Sequence, residues 1–263
     1  MTLLFTLLVC TVLVVLLRAG LPGRAAVGSG ESQPSPEPPL RSPQTTIRIG
    51  TYNIHGGKGT DGVRDLSRTA KVVQAADLVA LQEVHSGGWG TNQAKQLAED
   101  LSLGWIFAPT LRRWCRNDRG NGLLTTMVVS HWQTYHLPNV EGRRFRVYTV
   151  ARTTLGDTDI SVLFAHLHTR KGREQQLKVV LEHFGHLPVP AVLVGDLNSK
   201  PGDAVLARYL PVDHVDAISL VLGGRDEADR VDWILTRGLE ITAGDFVGEG
   251  VSDHPYYWVD VRV

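Results

Sequence analysis

The chain is short of cysteine, has no excess of either charge and carries no repeat, and each lack narrows what it can be. Of 263 residues only Cys10 and Cys115 are cysteines. Cys10 falls in an apolar N-terminal run, so the remainder keeps one thiol and no internal disulfide. Lysine plus arginine and aspartate plus glutamate both number 27. No net charge therefore draws the chain toward nucleic acid or membrane over long range, although a local basic patch is compatible with that balance. No internal period marks a solenoid. A Gly-x-Ser-x-Gly elbow is missing too, and three consecutive side chains, Ser252-Asp253-His254, cannot converge as a hydrolase triad.

What is present divides into three. Leu3 to Leu17 is nearly unbroken Leu, Val and Thr, shorter than the ~20 residues of a membrane span and closer to a signal-peptide core of ~7–15. Residues 1–27 are therefore expected to be a signal peptide or N-terminal membrane anchor, which gives the chain an exported or membrane-tethered address at the cell envelope. Arg18 and Arg24 on its far side run against export by the positive-inside rule. Residues 28–46, with Ser-Gly-Glu-Ser-Gln-Pro-Ser-Pro-Glu-Pro-Pro, read as a linker too poor in apolar residues to fold. Residues 47–263 form one domain, long enough for a sizeable core. Setting aside Arg18, Arg24, Arg41, Glu31 and Glu37 leaves it 24 basic and 25 acidic residues.

Ala191-Val-Leu-Val-Gly-Asp-Leu-Asn-Ser-Lys-Pro-Gly-Asp203 is the most informative stretch. Four apolar residues read as a buried strand, Gly195 permits a tight turn, and Asp196 and Asn198 follow one residue apart. In an extended chain those two share a face, where a carboxylate and a carboxamide can hold a water and a phosphate-like oxygen. The competing reading is an Asx-turn, in which they bond local backbone. Other strands end in the same manner. Ile47–Ile54 reaches Asn53, Asp77–Val84 carries Glu83, Asp159–Ala165 runs into His166, Arg230–Thr236 holds Asp232, and Ser252-Asp253-His254-Pro255 precedes a last strand, Tyr256–Val263. Further strands are expected at Trp105–Pro109, Leu123–Ser130 and Arg144–Thr154, the last forming a hairpin through Gly156-Asp157. Helices are expected at Val63–Ala76, Asn92–Leu101, Gly172–His186 and Asp203–Leu210, the third with Leu177, Val180, Leu181 and Phe184 on one stripe. If the strands belong to packed sheets, the polar groups at their ends gather along one rim. Singly, each has a bland reading: Glu83 an edge-strand charge, Asp232 a turn acid, His166 a satisfied core imidazole. His55 and His168 read as loop residues, and Arg112, Arg113, Arg116 and Arg119 around Trp114 as a solvated loop able to receive an anion.

Thr51-Tyr-Asn-Ile, Leu81-Gln-Glu-Val, Gly120-Asn-Gly-Leu-Leu, Ala165-His-Leu, Gly195-Asp-Leu-Asn, Val231-Asp-Trp-Ile and Ser252-Asp-His-Pro occur in this order. Together they resemble the endonuclease/exonuclease/phosphatase superfamily, metal-dependent phosphoesterases that include pancreatic-type deoxyribonucleases, abasic-site endonucleases, sphingomyelinases and inositol polyphosphate phosphatases. The resemblance covers Ile47 to Val263. It implies an α/β fold, a four-layer α/β/β/α sandwich with two mixed β-sheets, and a divalent-metal-dependent phosphoester hydrolase. Glu83, Asn53 and Asp253 would hold Mg²⁺ or Mn²⁺. Asp196 would orient or deprotonate the attacking water, Asn198 and Asn121 would lie at the phosphate, His254 and His166 would bond its non-bridging oxygens, and Asp232 would orient His254. A calcineurin-like phosphoesterase needs an Asp-x-His in its first strand and a later Gly-Asn-His, and the chain has neither. The partner expected is a phosphoester: a lipid headgroup, a small phosphodiester or nucleic acid. Neutrality favours the small or lipid substrate, with an exported nuclease as the alternative and a catalytically silent binding module behind both. No protein partner is expected.

Overall fold

Where apolar side chains fall along the strands decides the architecture. The computed structural model describes residues 9–11, 14, 24–25, 29–30, 46–87, 91–112, 119–140, 145–225 and 229–263. Most of the expected signal or anchor segment, nearly all of the linker, and Arg113, Trp114, Cys115 and Arg116 lie outside the described residues. Among the described residues no helix is long and apolar enough to cross a membrane.

In chain order the strands are β1 (Thr46–Asn53), β2 (Leu78–His85), β3 (Gly104–Pro109), β4 (Arg119–Thr125), β5 (Val129–His136) and β6 (Val147–Leu155). They continue with β7 (Thr158–His166), β8 (Ala191–Asp196), β9 (Asp232–Arg237), β10 (Glu240–Val247) and β11 (Tyr256–Arg262). The helices are α1 (Leu66–Val73), α2 (Gln93–Leu101), α3 (Arg173–His186), α4 (Ala204–Tyr209) and α5 (Ala217–Leu222). One sheet has the order β10-β11-β1-β2-β4-β3; the other runs β9-β8-β7-β6-β5, extended at its edges by Val215–Asp216 and Ser29–Gly30. Both are mixed, because β1 lies parallel to β2 and β7 parallel to β8 while their other pairings are antiparallel.

Alternation sends Ile47, Ile49, Leu78, Ala80 and Leu123 of the first sheet against Val162, Phe164, Val192, Val194 and Ile234 of the second. The opposite face of the first sheet, with Tyr52, Val79, Leu81 and Leu124, packs on Val73, Ala94 and Leu97 of α1 and α2. That of the second, with Leu163, Leu193 and Leu235, packs on Leu177, Val180, Leu181 and Phe184 of α3. Three apolar layers hold four layers of structure, helix, sheet, sheet and helix, as expected. Each fully buried Leu, Ile or Phe contributes about 1.5–3 kcal/mol to keeping them together.

Three local expectations are corrected. Leu123–Ser130 is not one strand: β4 ends at Thr125, and β5 begins at Val129 in the other sheet. The Thr126 N–H bonds Asp77 O and the Met127 N–H bonds Thr125 Oγ1, which satisfies the backbone as it crosses between sheets. Arg119–Gly122, at the end of the polar stretch, belongs to β4; a Cβ on Gly120 would sit 2.3 Å from Ala108 O, so the glycine is what lets β3 come alongside. Neither β10 nor α5 is among the expected elements: α5, Ala217-Ile-Ser-Leu-Val-Leu222, is apolar but only six residues long, and β10 has no apolar run. Among the described residues β10 is an edge strand paired only with β11, and most of its residues are exposed.

Candidate active site

Register builds the site. His166 pairs with Asp196 across β7 and β8, and Asp196 with Asp232 across β8 and β9, so three polar residues stand side by side at the same level. Their positions in the alternation match Phe164, Val194 and Ile234, which puts them on the inter-sheet face where the apolar core stops. Asn53 follows Ile47 and Ile49 in the same way on β1, from the facing sheet. Beside them Gly195 has φ 143°, and a Cβ there would lie 2.0 Å from Ala165 O; no other residue fits this approach of β8 to β7.

Asp196, Asn53, His166, Asp232 and His254 are joined by a chain of close approaches. Asn53 Nδ2 donates to Asp196 Oδ2 at 3.2 Å and lies 3.5 Å from His254 Nε2. His166 Nε2 is 3.3 Å from the same Asp196 oxygen. His254 Nδ1 lies 2.8 Å from Asp232 Oδ2, and its Nε2 is 4.0 Å from Asp196 Oδ2. Asp232 Oδ1 is buried without a hydrogen-bond partner among the described residues.

These surroundings set the charges. Burial, reinforced by the Asp232 carboxylate across the strand, pushes Asp196 up to about 7 against the pull of His254. For His254 burial works toward the neutral form, but the hydrogen bond and charge of Asp232, with Asp196 and Asp253 behind them, outweigh it and raise the imidazole to about 9. His166 lies within ion-pairing distance of Asp196, yet burial, with the charges of Arg146 and His254, keeps its imidazole neutral. It therefore offers an N–H rather than a positive charge. Between about pH 7 and pH 9 the site pairs a charged Asp196 with a protonated His254.

The remaining expected residues differ in how they relate to this cluster. Regular alternation would send Glu83 toward the helices with Val79 and Leu81. Instead the β2–β4 register shifts between Leu81 and Val84, Glu83 takes φ 55°, and Val84 occupies the helix-side core. A bulge of this kind re-aims a side chain. Glu83 Oε2 meets Arg119 Nη1 at 3.2 Å, next to the Asn53–Gln82 pair that ends β1. Asp253 Oδ1 lies 3.3 Å from His55 Nδ1 and accepts from Ser252 Oγ at 3.2 Å; the same hydroxyl bonds Asn53 O at 2.6 Å.

Asn198 does not continue the extended face of Asp196. Its φ is 51°, its N–H bonds Asp196 Oδ1 at 2.9 Å, and its Nδ2 bonds Leu167 O at 2.9 Å. The Asx-turn thus takes one oxygen of Asp196 and leaves the other to the cluster. Asn121 is buried in β4 with its Nδ2 on Val147 O at 3.2 Å, and no contact among the described residues brings it to the cluster. His168 lies in the loop after β7, as expected, but is buried there, its N–H held by Gln176 Oε1. His55, expected only as a loop residue, sits at the site edge through Asp253.

Sequence reasoning assigned no role to Ser252, Arg119 or Arg230. Ser252 lay inside a recognised motif, and Arg119 was one of several arginines. Arg230, with its side chain wholly buried, donates from Nη1 to Asp232 O at 2.9 Å and from Nη2 to Asp216 at 2.6 Å. Its only signal was adjacency to Asp232.

Among the described residues one group of His, Cys, Asp and Glu side chains converges closely enough to hold a cation. Ligand atoms of Asp196, Asp232 and His254 lie within 4.8 Å of one another, but a protonated His254 whose Nδ1 is committed to Asp232 is a poor ligand. Glu83, Asn53 and Asp253, the set that the resemblance implies, have the oxygen donors that hard cations take; Ser252 Oγ links Asp253 to the Asn53 backbone, and Glu83 is held by Arg119.

Comparisons with known proteins agree with this geometry. Residues 50–254 match the model of the Endonuclease/Exonuclease/phosphatase family. No curated protein matches the chain. An endonuclease/exonuclease/phosphatase from Beutenbergia cavernae DSM 12333 superposes with TM-score 0.69 at 24% identity, covering 84% of this chain and 72% of that one. An endonuclease/exonuclease/phosphatase from Bacteroides vulgatus gives 0.67 at 16% identity, over 84% and 100%. TDP2 from D. rerio, solved with a single-strand DNA product, gives 0.63 at 17% identity, over 84% and 100%. At these identities the likeness is one of fold. The family match, by contrast, runs from just before Asn53 to His254 and takes in every residue of the cluster, and so the chain belongs to the endonuclease/exonuclease/phosphatase family, a family of phosphoester hydrolases.

Proposed function

We propose that the protein is a divalent-cation-dependent hydrolase that attacks phosphorus with water, and that its substrate is a small or lipid phosphoester. One observation carries the reading: a carboxylate that becomes charged near neutral pH stands 4.0 Å from an imidazole that keeps its proton to about pH 9. Asp196, held through Oδ1 by the Asn198 N–H and through Oδ2 by Asn53, accepts a proton from water as it attacks. His254, fixed at Nδ1 by Asp232, offers its Nε2 proton to a phosphoryl oxygen as charge builds there. Neutral His166 donates to Asp196 and steadies it. Asn198 and Asn121, each with one amide N–H on a backbone carbonyl, keep a second for a phosphate oxygen.

Glu83, Asn53 and Asp253 are the residues we assign to Mg²⁺ or Mn²⁺. When bound, the cation would polarise the phosphoryl oxygen and stabilise the leaving one.

Neutrality supports the substrate class. A nuclease gripping a duplex needs several phosphate contacts along a basic face, and the domain has 24 bases against 25 acids. The likeness to TDP2, which was solved with a DNA product, favours an exported or membrane-tethered nuclease as the second reading. With Mg²⁺ at physiological salt, the full-length protein in detergent is expected to turn over bis(p-nitrophenyl) phosphate or a lipid phosphodiester faster than it nicks supercoiled plasmid. Efficient nicking without turnover of the others would reverse the order. A cell-envelope address rests on residues 1–27 alone. Fractionation should recover the full-length chain with membranes or outside the cell, and finding it wholly in the cytosol would remove that address.

A further inference from the structure

A cleft of about 620 Å³ opens where the end of β2, the segment before α1, the start of β4 and the first turn of α2 meet. Arg64, His85, Ser86, Gln93, Gln96 and Arg119 are among the residues that line it, and among the described residues no acidic one does. The walls are braced against one another through the main chain. Arg64 Nη1 and Gln93 Nε2 both donate to Gly56 O at 2.8 Å, and Gln93 Oε1 accepts the His85 N–H at 2.9 Å. Gly56 has φ 62°, and a Cβ there would lie 2.6 Å from the His85 ring, so the imidazole packs against the turn. The first turn of α2 adds the positive end of a helix dipole.

The proposed chemistry at Asp196 accounts for none of this. Arg64 spends one guanidinium N–H on Gly56 O, and its others have no partner among the described residues. Arg119 ties the cleft to the reacting centre by reaching Glu83 at 3.2 Å. Arginine forks match phosphate oxygens two at a time, and polar side chains without an acid among them add no repulsion. We infer that the cleft receives a second phosphate of the substrate, beside the ester that is cleaved, so that preferred substrates are small molecules carrying two phosphates. The inference rests on the phosphoester-hydrolase reading and adds a substrate class to it.

Two thymidine esters test it: thymidine 5′-(p-nitrophenyl phosphate) and the same compound bearing a 3′-phosphate. They share a leaving group and differ by one phosphate. The wild-type full chain should favour the second roughly tenfold in kcat/KM, mainly through KM, the scale of one charge-assisted hydrogen bond. Gln96→Glu places a carboxylate in the cleft from an exposed position on α2 and should bring the ratio close to one. A wild-type ratio near one, or a ratio that Gln96→Glu leaves unchanged, overturns the inference. Calorimetric titration with inorganic pyrophosphate in EDTA reads the cleft apart from catalysis. Binding that Gln96→Glu weakens supports it even if neither ester is hydrolysed, an outcome that would overturn only the hydrolase reading; no wild-type binding, or binding indifferent to Gln96→Glu, sinks the cleft.

Discussion

Asp232→Asn and His254→Ala should each lower kcat by about 10²–10³-fold, the scale of losing one preorganised donor, and the double variant should fall little further. The reason is that the two side chains form a single device. Asp232 holds His254 at 2.8 Å and is the largest influence raising its imidazole to about 9. Without Asp232 the ring loses both its proton near neutral pH and its orientation; without the ring, Asp232 has nothing to orient. Residues that act as a unit give non-additive losses. The pH profile provides a second readout. For the wild type, kcat/KM should rise as Asp196 loses its proton near pH 7 and fall as His254 loses its own near pH 9. Asp232→Asn should shift both limbs to lower pH, because the same carboxylate raises both groups. Losses that multiply in the double variant, or limbs that stay in place, would show that the residues work separately.

Chelation should abolish hydrolysis, and Mg²⁺ or Mn²⁺ should restore it. Glu83→Gln should raise the Mg²⁺ concentration for half-maximal activity by roughly tenfold or more, since even groups that only support a ligand cost that much. The fold should survive the change. Glu83 is partly exposed, its side chain makes no contact in the core, and glutamine accepts the φ of 55° no worse than glutamate does. Full activity in excess EDTA, or an unchanged Mg²⁺ requirement in Glu83→Gln with normal melting, would rule out this carboxylate as a ligand.

The central polar cluster was legible because each member ends or borders an apolar strand, and alternation carries the inward direction of Ile49, Phe164, Val194 and Ile234 on to Asn53, His166, Asp196 and Asp232. Contacts between sheets were not legible, since no local pattern says that Asn53 meets Asp196, 143 residues away. The resemblance assigned both residues to one site without giving their contact. Departures from regular geometry were hidden too. The bulge at Glu83 reverses the side its parity predicts, and the Asx-turn draws Asn198 off the face of Asp196, in each case at a non-glycine residue in left-handed backbone that composition does not announce. β10 escaped notice because an edge strand with one exposed face has no apolar run. The cleft by α2 escaped because its donors come from four separated segments.

The alignment of His166, Asp196 and Asp232 makes the second sheet a gauge of length. Residues added at the hairpin Gly156-Asp157 or in the 187–190 connection lie beyond the far ends of these strands and leave the three in line. One residue added between Val192 and Val194 would turn Asp196 toward the helix side, among Leu163 and Leu193, while His166 and Asp232 kept their places. Such a chain would retain every motif by which this one is recognised and would have no active site, so in this fold spacing within a strand carries as much of the function as the residues themselves.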